Sequence, residues 1–437
     1  MFMGHVRKHA LWIIAVLSLL VGLIWRYSYV IVDHRATNYI YSDMKSYVDR
    51  ALNFINPHYV ETIADTVYPP GMHMLLGVLY VLDPSWNLAI WVQLILSCLI
   101  PLLVASIAYL LYGKNVAYLA LILSSLYFGF IDYAGYFLAE NAYTFCIVAA
   151  VLLLVISMRA RSNVLWLIAA LSAGVMLAVS ASLKEAILVP AALVGLFLLY
   201  LAWERHSRKI FIMVIASCLG ATVVLAPLSE RCTTLSEGAF CVTSNNGALT
   251  MLLGHHGEVM TTEFYDNKRG YMHGFQPPPF VQLGYQGVQK FDFGAYDAES
   301  NRAAAWSWVA EHPIEAVLLS LRNVFQLFWG SVPWPSSHTD GKYMTIFFQQ
   351  LFLLVVLIPV CVFVWNNAGA LLRCDSKYCA DIFILLPVIG LMAAVFLSLG
   401  DPRYRIPFDG FLMIIAARMY LGIDGKLSAV ATSLARA

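Results

Sequence analysis

"LWIIAVLSLLVGLIWRYSYVIV" (residues 11–32) is followed a few residues later by "YSDMKSYVDRALNF" (residues 41–54). The first stretch is apolar and long enough to cross a bilayer core, which needs roughly 20 helical residues for about 30 Å. The second carries Asp43, Lys45, Asp49 and Arg50. A chain that enters lipid and then gathers charge at the far side is built as a membrane protein. The whole composition agrees: 60% of residues are apolar, 12% are charged, and the mean hydropathy is +0.73. Soluble domains carry charge at about a quarter of their positions. A formal net charge of +1 gives no nucleic-acid signal.

Working outward, about ten apolar runs qualify as crossings: 11–32, 86–111, 116–131, 142–157, 164–179, 186–203, 210–228, 344–365, 382–399 and 404–423. The basic "VRKHA" ahead of the first run could open a signal peptide, but no small-residue cleavage site follows. The run is therefore read as an uncleaved helix. The pattern predicts an all-α polytopic bundle in three parts. Residues 1–228 form a transmembrane catalytic module that includes an outer loop at 33–85. Residues 229–343 form an inserted lid, and 344–437 return to the membrane.

Orientation follows from Lys and Arg. The segments "VRKHA", "LYGKN", "MRARSN", "WERHSRK", "LLRCDSK" and "DGKLSAVATSLARA" fall on one side of a ten-crossing chain, which makes that side the cytoplasm and places both termini there. The opposite side receives the 33–85 loop, Glu140, Lys184, the insertion and "GDPRYR". The apolar "IEAVLLSLRNVFQLFWG" (314–330) would break this order as a crossing. Its Arg322, Asn323 and Gln326 suit a helix lying on the outer surface.

In 41–54 the apolar spacing places Tyr47, Leu52 and Phe54 toward the bundle, with Lys45, Asp49 and Arg50 toward water. A solvated connecting helix would look the same. What distinguishes this one is company: His58, Asp65, Glu140, Lys184, Glu185, Arg403 and Arg405 share its side. Most cysteines lie within apolar runs. Cys232 and Cys241, nine apart in the insertion, could close a disulfide in an oxidising compartment or remain free thiols. The absence of an Asn-x-Ser/Thr sequon points toward a bacterial inner membrane and a periplasmic outer face.

Six segments on that outer side, in this order, resemble the C-type glycosyltransferases: "SDMKSYVDRA", "YPPGMHMLLG", "YAGYFLAENAYTF", "LAVSASLKEAILVPAA", "AAAWSWVAEHP" and "DPRYRIPF". Within that group the chain looks most like the dolichyl-phosphate-mannose protein mannosyltransferases and the bacterial lipid A aminoarabinose transferase. The resemblance implies a C-type bundle and an enzyme that takes sugar from a polyprenyl-phosphate carrier. It also implies an aspartate of the first outer loop as catalytic base, here Asp43, followed four residues on by Tyr47. The family's Asp-Glu pair is Asp43-Met44 here, and its Lys-Pro-Pro-like segment is Tyr68-Pro69-Pro70, so a lysine near the phosphate is missing. Lys184, where the family commonly has a basic residue that meets the carrier phosphate, fits that role, as do Arg403 and Arg405. Tyr47, Tyr68, His73 and Glu140 are the expected substrate contacts.

The chemistry explains these residue types. An acceptor hydroxyl that attacks the anomeric carbon must lose a proton, and a carboxylate within reach can take it, a contribution of about 10² to 10⁴ in rate. The departing phosphate gathers charge that cationic donors stabilise. For "DPRYR" the plain alternative is interfacial anchoring, and for Glu140 a charge offsetting a helix dipole. His255, His256 and Glu258 lack the spacing of a zinc site, so no metal and no cofactor beyond the lipid-linked donor is expected. The expected partners are the membrane, the donor lipid and a glycan, lipid or protein acceptor. A polymerase or ligase acting on diphosphate-linked glycans is the nearer alternative. A transporter is the farther one, because it would bury ionisable or broken-helix sites near mid-membrane.

Overall fold

The computed structural model describes residues 2–256, 261–266, 270–273, 287–329, 333–336, 339 and 341–422. Among these residues eight helices are long and apolar enough to span a membrane, and a ninth span is a pair, Lys114–Ser125 and Phe128–Gly135, bent by 58° at its break. The helices are α1 (Phe2–Tyr27), α2 (Ser42–Phe54), α3 (Gly71–Leu82), α4 (Asn87–Tyr112), α5 (Lys114–Ser125), α6 (Phe128–Asp132), α7 (Ala139–Arg159), α8 (Asn163–Leu183), α9 (Leu188–Glu204), α10 (Arg208–Leu235) and α11 (Asn246–Gly254), followed by spans at Lys342–Leu372 and Ser376–Phe396.

The tenth expected crossing, 404–423, is not one helix. Pro402 and Pro407 divide it into Pro402–Arg405, a turn at Ile406–Phe408, and Asp409–Tyr420. Proline removes a ladder hydrogen bond and clashes with the preceding turn. The last piece is buried along nearly its whole length, and two ion pairs hold it in the bundle. Arg405 Nε donates to Asp409 Oδ1 at 2.8 Å, and Tyr127 adds a bond to the same carboxylate. Arg418 pairs with Asp381, which also accepts from Tyr112 at 2.9 Å. Ionisable side chains are therefore buried within the bundle as well as gathered at its loops. Each of these buried charges has a partner, as charge in lipid requires.

Arg26 is another such charge, hidden inside the first apolar run. Its guanidinium donates to Ser97 Oγ (3.0 Å), Gly22 O (3.0 Å), Ser125 O (2.7 Å) and Ser124 O (3.3 Å). Those serine carbonyls end α5, so Arg26 satisfies the backbone where the helix breaks, a need that water cannot meet in lipid. Elsewhere small residues set the packing: a Cβ at Gly174 would strike Ser217 O, and one at Gly220 would strike Leu171 O, which brings α8 and α10 backbone to backbone.

The α2 helix has a different phase from the expected one. Met44, Tyr47, Val48 and Ala51 face inward, the 3–4 spacing of one helix row, while Leu52 and Phe54 are exposed. Arg50 is not in open water either; it bonds Asp65 and the Ala64 carbonyl. The insertion contains a feature that an all-α reading omits, a three-stranded sheet of order β2-β1-β3 with β1 Thr261–Asp266, β2 Gly270–His273 and β3 Val288–Phe291. In β1, Thr262 and Phe264 are buried and Tyr265 is exposed, the alternation of a half-buried strand.

The insertion is stitched to the outer turns. Asn245 Nδ2 donates to Thr66 Oγ1 at 2.8 Å, Arg231 pairs with Glu61, and Asn323 Nδ2 donates to Ser398 O at 2.8 Å. Helix Pro313–Gln326, the expected surface helix, is not among the candidate spans. It buries Leu319, Ser320 and Asn323 and exposes Ile314, Leu318, Leu321 and Phe325. Glu258 and the chain beyond Gly422 lie outside the described residues.

Candidate functional site

Four elements converge at one end of the bundle: the first turn of α2, the N-terminus of α7, the α8–α9 turn and the 401–405 segment. Asp43 stands in the first turn of α2, just after Ser42, whose φ of 48° is left-handed for a residue with a Cβ. Such outliers persist where the surrounding structure enforces them, and they cluster at working sites. Asp43 Oδ1 accepts from the Tyr68 hydroxyl at 3.2 Å, and Oδ2 accepts from Arg403 Nη1 at 3.1 Å. Arg403 Nε lies 3.9 Å from Glu140 Oε1, which accepts from Lys184 Nζ at 2.8 Å. The result is one continuous chain of charges: Asp43, Arg403, Glu140, Lys184.

Accessibility separates their possible roles. The Glu140 side chain is 2% exposed, Lys184 16%, Arg403 17% and Asp43 25%. Asp43 is thus the more accessible carboxylate of the four-residue chain. Aromatic rings frame the two cations. Arg403 lies over Trp334 (4.9 Å) and Tyr404 (5.2 Å), and Lys184 lies over Tyr404 (5.1 Å). Trp334 is itself anchored, because its carbonyl accepts from Tyr133 at 2.6 Å and the neighbouring Ser336 bonds the buried Asp132.

Sequence reasoning missed Asp401. Its Oδ1 accepts from the Arg403 backbone N–H at 2.7 Å, the N-cap of the short helix that presents Arg403. An Asp followed by Pro is the signal that could have shown it. Its Oδ2 is buried with no hydrogen bond among the described residues. Burial pushes its carboxyl up to about 6, against the pull of Arg403 and Lys184.

The other expected residues divide. Tyr47 is in the cluster: its ring lies 5.5 Å from Tyr68, and burial, then the charges of Glu140 and Asp43, hold its phenol protonated. His73 is not. It is buried on α3 near Phe54, and burial, reinforced by Arg50 and Arg231, lowers it to about 3, so it is neutral at physiological pH. Arg405 also points away, 0% exposed, bound to Asp409 and to Leu327 O at 3.0 Å. Cys232 and Cys241 form a disulfide. Asp49 is spent on Lys45 at the surface, and Asp65 accepts from Arg50, Tyr59 and Thr62. Among the described residues no group of three or more His, Cys, Asp or Glu is placed to hold a metal.

The family model for dolichyl-phosphate-mannose-protein mannosyltransferase matches residues 66–228. Archaeal oligosaccharyltransferase AglB from Archaeoglobus fulgidus, solved with an inhibitory peptide and a dolichol-phosphate, superposes over 96% of this chain with a TM-score of 0.54 and 11% identity. The chain has the fold of the C-type glycosyltransferases. It spans 51% of that AglB chain. ArnT from Cupriavidus metallidurans bound to undecaprenyl phosphate also matches, over 93% of this chain and 77% of that one, at 13% identity and a TM-score of 0.40. No curated protein matches. Within this C-type fold, the mannosyltransferase match begins at Thr66 and takes in Tyr68, Glu140 and Lys184, while Asp43 and Arg403 lie outside it.

Proposed function

We propose that the protein is a membrane glycosyltransferase that moves a sugar from a polyprenyl-phosphate donor to an acceptor hydroxyl, with inversion, at the periplasmic face of a bacterial inner membrane and without a metal. The observation that supports this most is the Asp43–Arg403 contact of 3.1 Å. It joins a reachable carboxylate to a cation that sits among aromatic rings beside a second cation, Lys184.

The steps follow from those positions. The donor phosphate, a diester with a single negative charge, meets Arg403 and Lys184, and as a second charge develops on it with the breaking bond it draws the Arg403 guanidinium away from Asp43. Asp43 Oδ2 then loses the donor that Arg403 supplies, while the Tyr68 hydroxyl still holds Oδ1 and fixes the carboxylate. The acceptor hydroxyl gives its proton to Oδ2 as its oxygen bonds to the anomeric carbon, and the bond from that carbon to the phosphate oxygen breaks. The electron pair leaves on the phosphate, where the two cations receive it. Glu140, buried between Arg403 and Lys184, keeps both in place and balances their charge.

The test is turnover by the purified protein of radiolabelled polyprenyl-phosphate sugars, with diphosphate-linked oligosaccharides in parallel and EDTA present. Release of polyprenyl phosphate from the monophosphate donors supports the reading. Turnover of the diphosphate donors alone would make the protein a polymerase or ligase instead.

A further inference from the structure

Beside the charge cluster is a cavity that the reaction just described does not use. It has a volume of about 320 Å³ and is walled by Glu185, Phe240, Cys241, Gly247, Met251 and Arg302 among others. That volume is at the low end of the roughly 300–1,000 Å³ of small-molecule sites. Glu185 directly follows Lys184, so one turn supplies a cation to the reacting cluster and a carboxylate to this wall.

The two oxygens of Glu185 differ. Oε1 accepts from Thr243 N (2.7 Å), Thr243 Oγ1 (2.7 Å) and Ser244 N (2.6 Å), which ties the insertion to the bundle. Oε2 faces Gly247, 3.8 Å from where a Cβ there would sit. Arg302 is exposed and pairs with no carboxylate among the described residues. Phe240 is 76% exposed at the rim. It is held there by the neighbouring Cys232–Cys241 disulfide and by the bond from Ser229 Oγ to Cys241 O at 2.6 Å.

We propose that this cavity is the subsite for a neutral sugar unit of the acceptor, so that the acceptor is a glycan. The inference rests on the transferase reading. A carboxylate that only accepts, a guanidinium that only donates and a fixed aromatic face match a sugar, whose hydroxyls do both and whose ring carries apolar C–H groups. One negative and one positive group leave the cavity near neutrality. Glu185 disfavours a phosphate, which keeps the donor headgroup on the Arg403 side. A lipid tail would leave both charges unpaired.

Saturation-transfer NMR on the full chain in a detergent without sugar, lauryldimethylamine oxide, tests this with neutral di- and trisaccharides, a hexose phosphate and short neutral peptides as probes. Phe240→Ala and Arg302→Ala remove exposed contacts. Gly247→Phe fills the cavity from a helical position with room for a side chain. The expected result is transfer to at least one neutral oligosaccharide, reduced roughly fivefold or more in each variant. Silence from every neutral oligosaccharide, a signal indifferent to all three variants, or a preference for the hexose phosphate or a peptide would overturn it. Retention of radiolabelled polyprenyl-phosphate sugar is measured on the same preparations. Donor retained without oligosaccharide binding removes only the acceptor assignment, whereas no donor retention removes the transferase reading beneath it.

Discussion

Arg403 donates to the Asp43 carboxylate across 3.1 Å although 360 positions separate the two residues. The contact closes the bundle, joining the first outer loop to the segment ahead of the last buried helix. In the proposed reaction it makes the base and the phosphate ligand hold each other until the donor phosphate develops its charge.

Arg403 and Arg405 therefore have separable consequences. Arg403→Ala is expected to weaken donor retention and slow turnover, each by roughly 10- to 100-fold, as loss of one charge-assisted contact of about 1.5–3 kcal/mol gives. Arg405→Ala leaves Asp409 charged and buried, a cost of about 3–5 kcal/mol, so it should lower the melting temperature or prevent recovery of folded protein. Donor retention and thermal unfolding of both variants check this; a folded, stable Arg405→Ala with selectively lost donor binding would reverse the assignment.

Two residues apart on a short helix, these arginines point in very different directions, since each step turns the chain about 100°. Sequence spacing set them in one motif, and only the packed structure tells which one meets Asp43. The long apolar runs were legible because lipid forces regular, uncharged helices. Arg26 was not, because a single arginine barely alters a run of that length and its purpose, capping the broken end of α5, depends on a distant helix. The phase of α2 was misread at Leu52 and Phe54 because the exposed and the inward-facing positions of this helix are both apolar, so hydrophobicity alone does not say which side is inside. Asp401 was missed for another reason: a helix of four residues leaves no periodic pattern.

His73 predicts a pH dependence of stability. Its ordinary value of 6.5 falls to about 3 in the folded protein, chiefly through burial. Between those values the unfolded chain binds more protons, so stability is fully present above about 6.5 and declines as the pH falls toward 3. At pH 5 the cost from this residue is about 2 kcal/mol. His73→Leu, which cannot titrate, should flatten the fall in melting temperature between pH 7 and pH 5. An unchanged slope would show that His73 is not buried neutral.

The Cys232–Cys241 disulfide closes a short loop and should add about 2–3 kcal/mol. Thiol labelling of the unfolded, unreduced protein should miss both residues and reach both after reduction. Labelling of either before reduction would contradict the bond.

Topology follows from the shared end of the bundle. Residues 43, 140, 184 and 403 meet, whereas Asp381 and Arg418 pair at the far ends of the two helices, Cys379–Phe396 and Asp409–Tyr420, that flank residue 403 in the chain. Reporter fusions after residue 375 should score as cytoplasmic, and a cysteine at residue 58 should react with an impermeant reagent from outside. A periplasmic score at 375 would invert the arrangement.

The most direct measurement is sugar transfer by Asp43→Asn. Asn keeps the shape and most of the hydrogen bonding of Asp yet takes up no proton at neutral pH. Single-turnover transfer from radiolabelled polyprenyl-phosphate sugar should fall by about 10² to 10⁴, with folding and donor retention preserved. Transfer within a few-fold of the wild-type rate would contradict Asp43 as the base and leave Glu140 and Asp401 as the carboxylates to test.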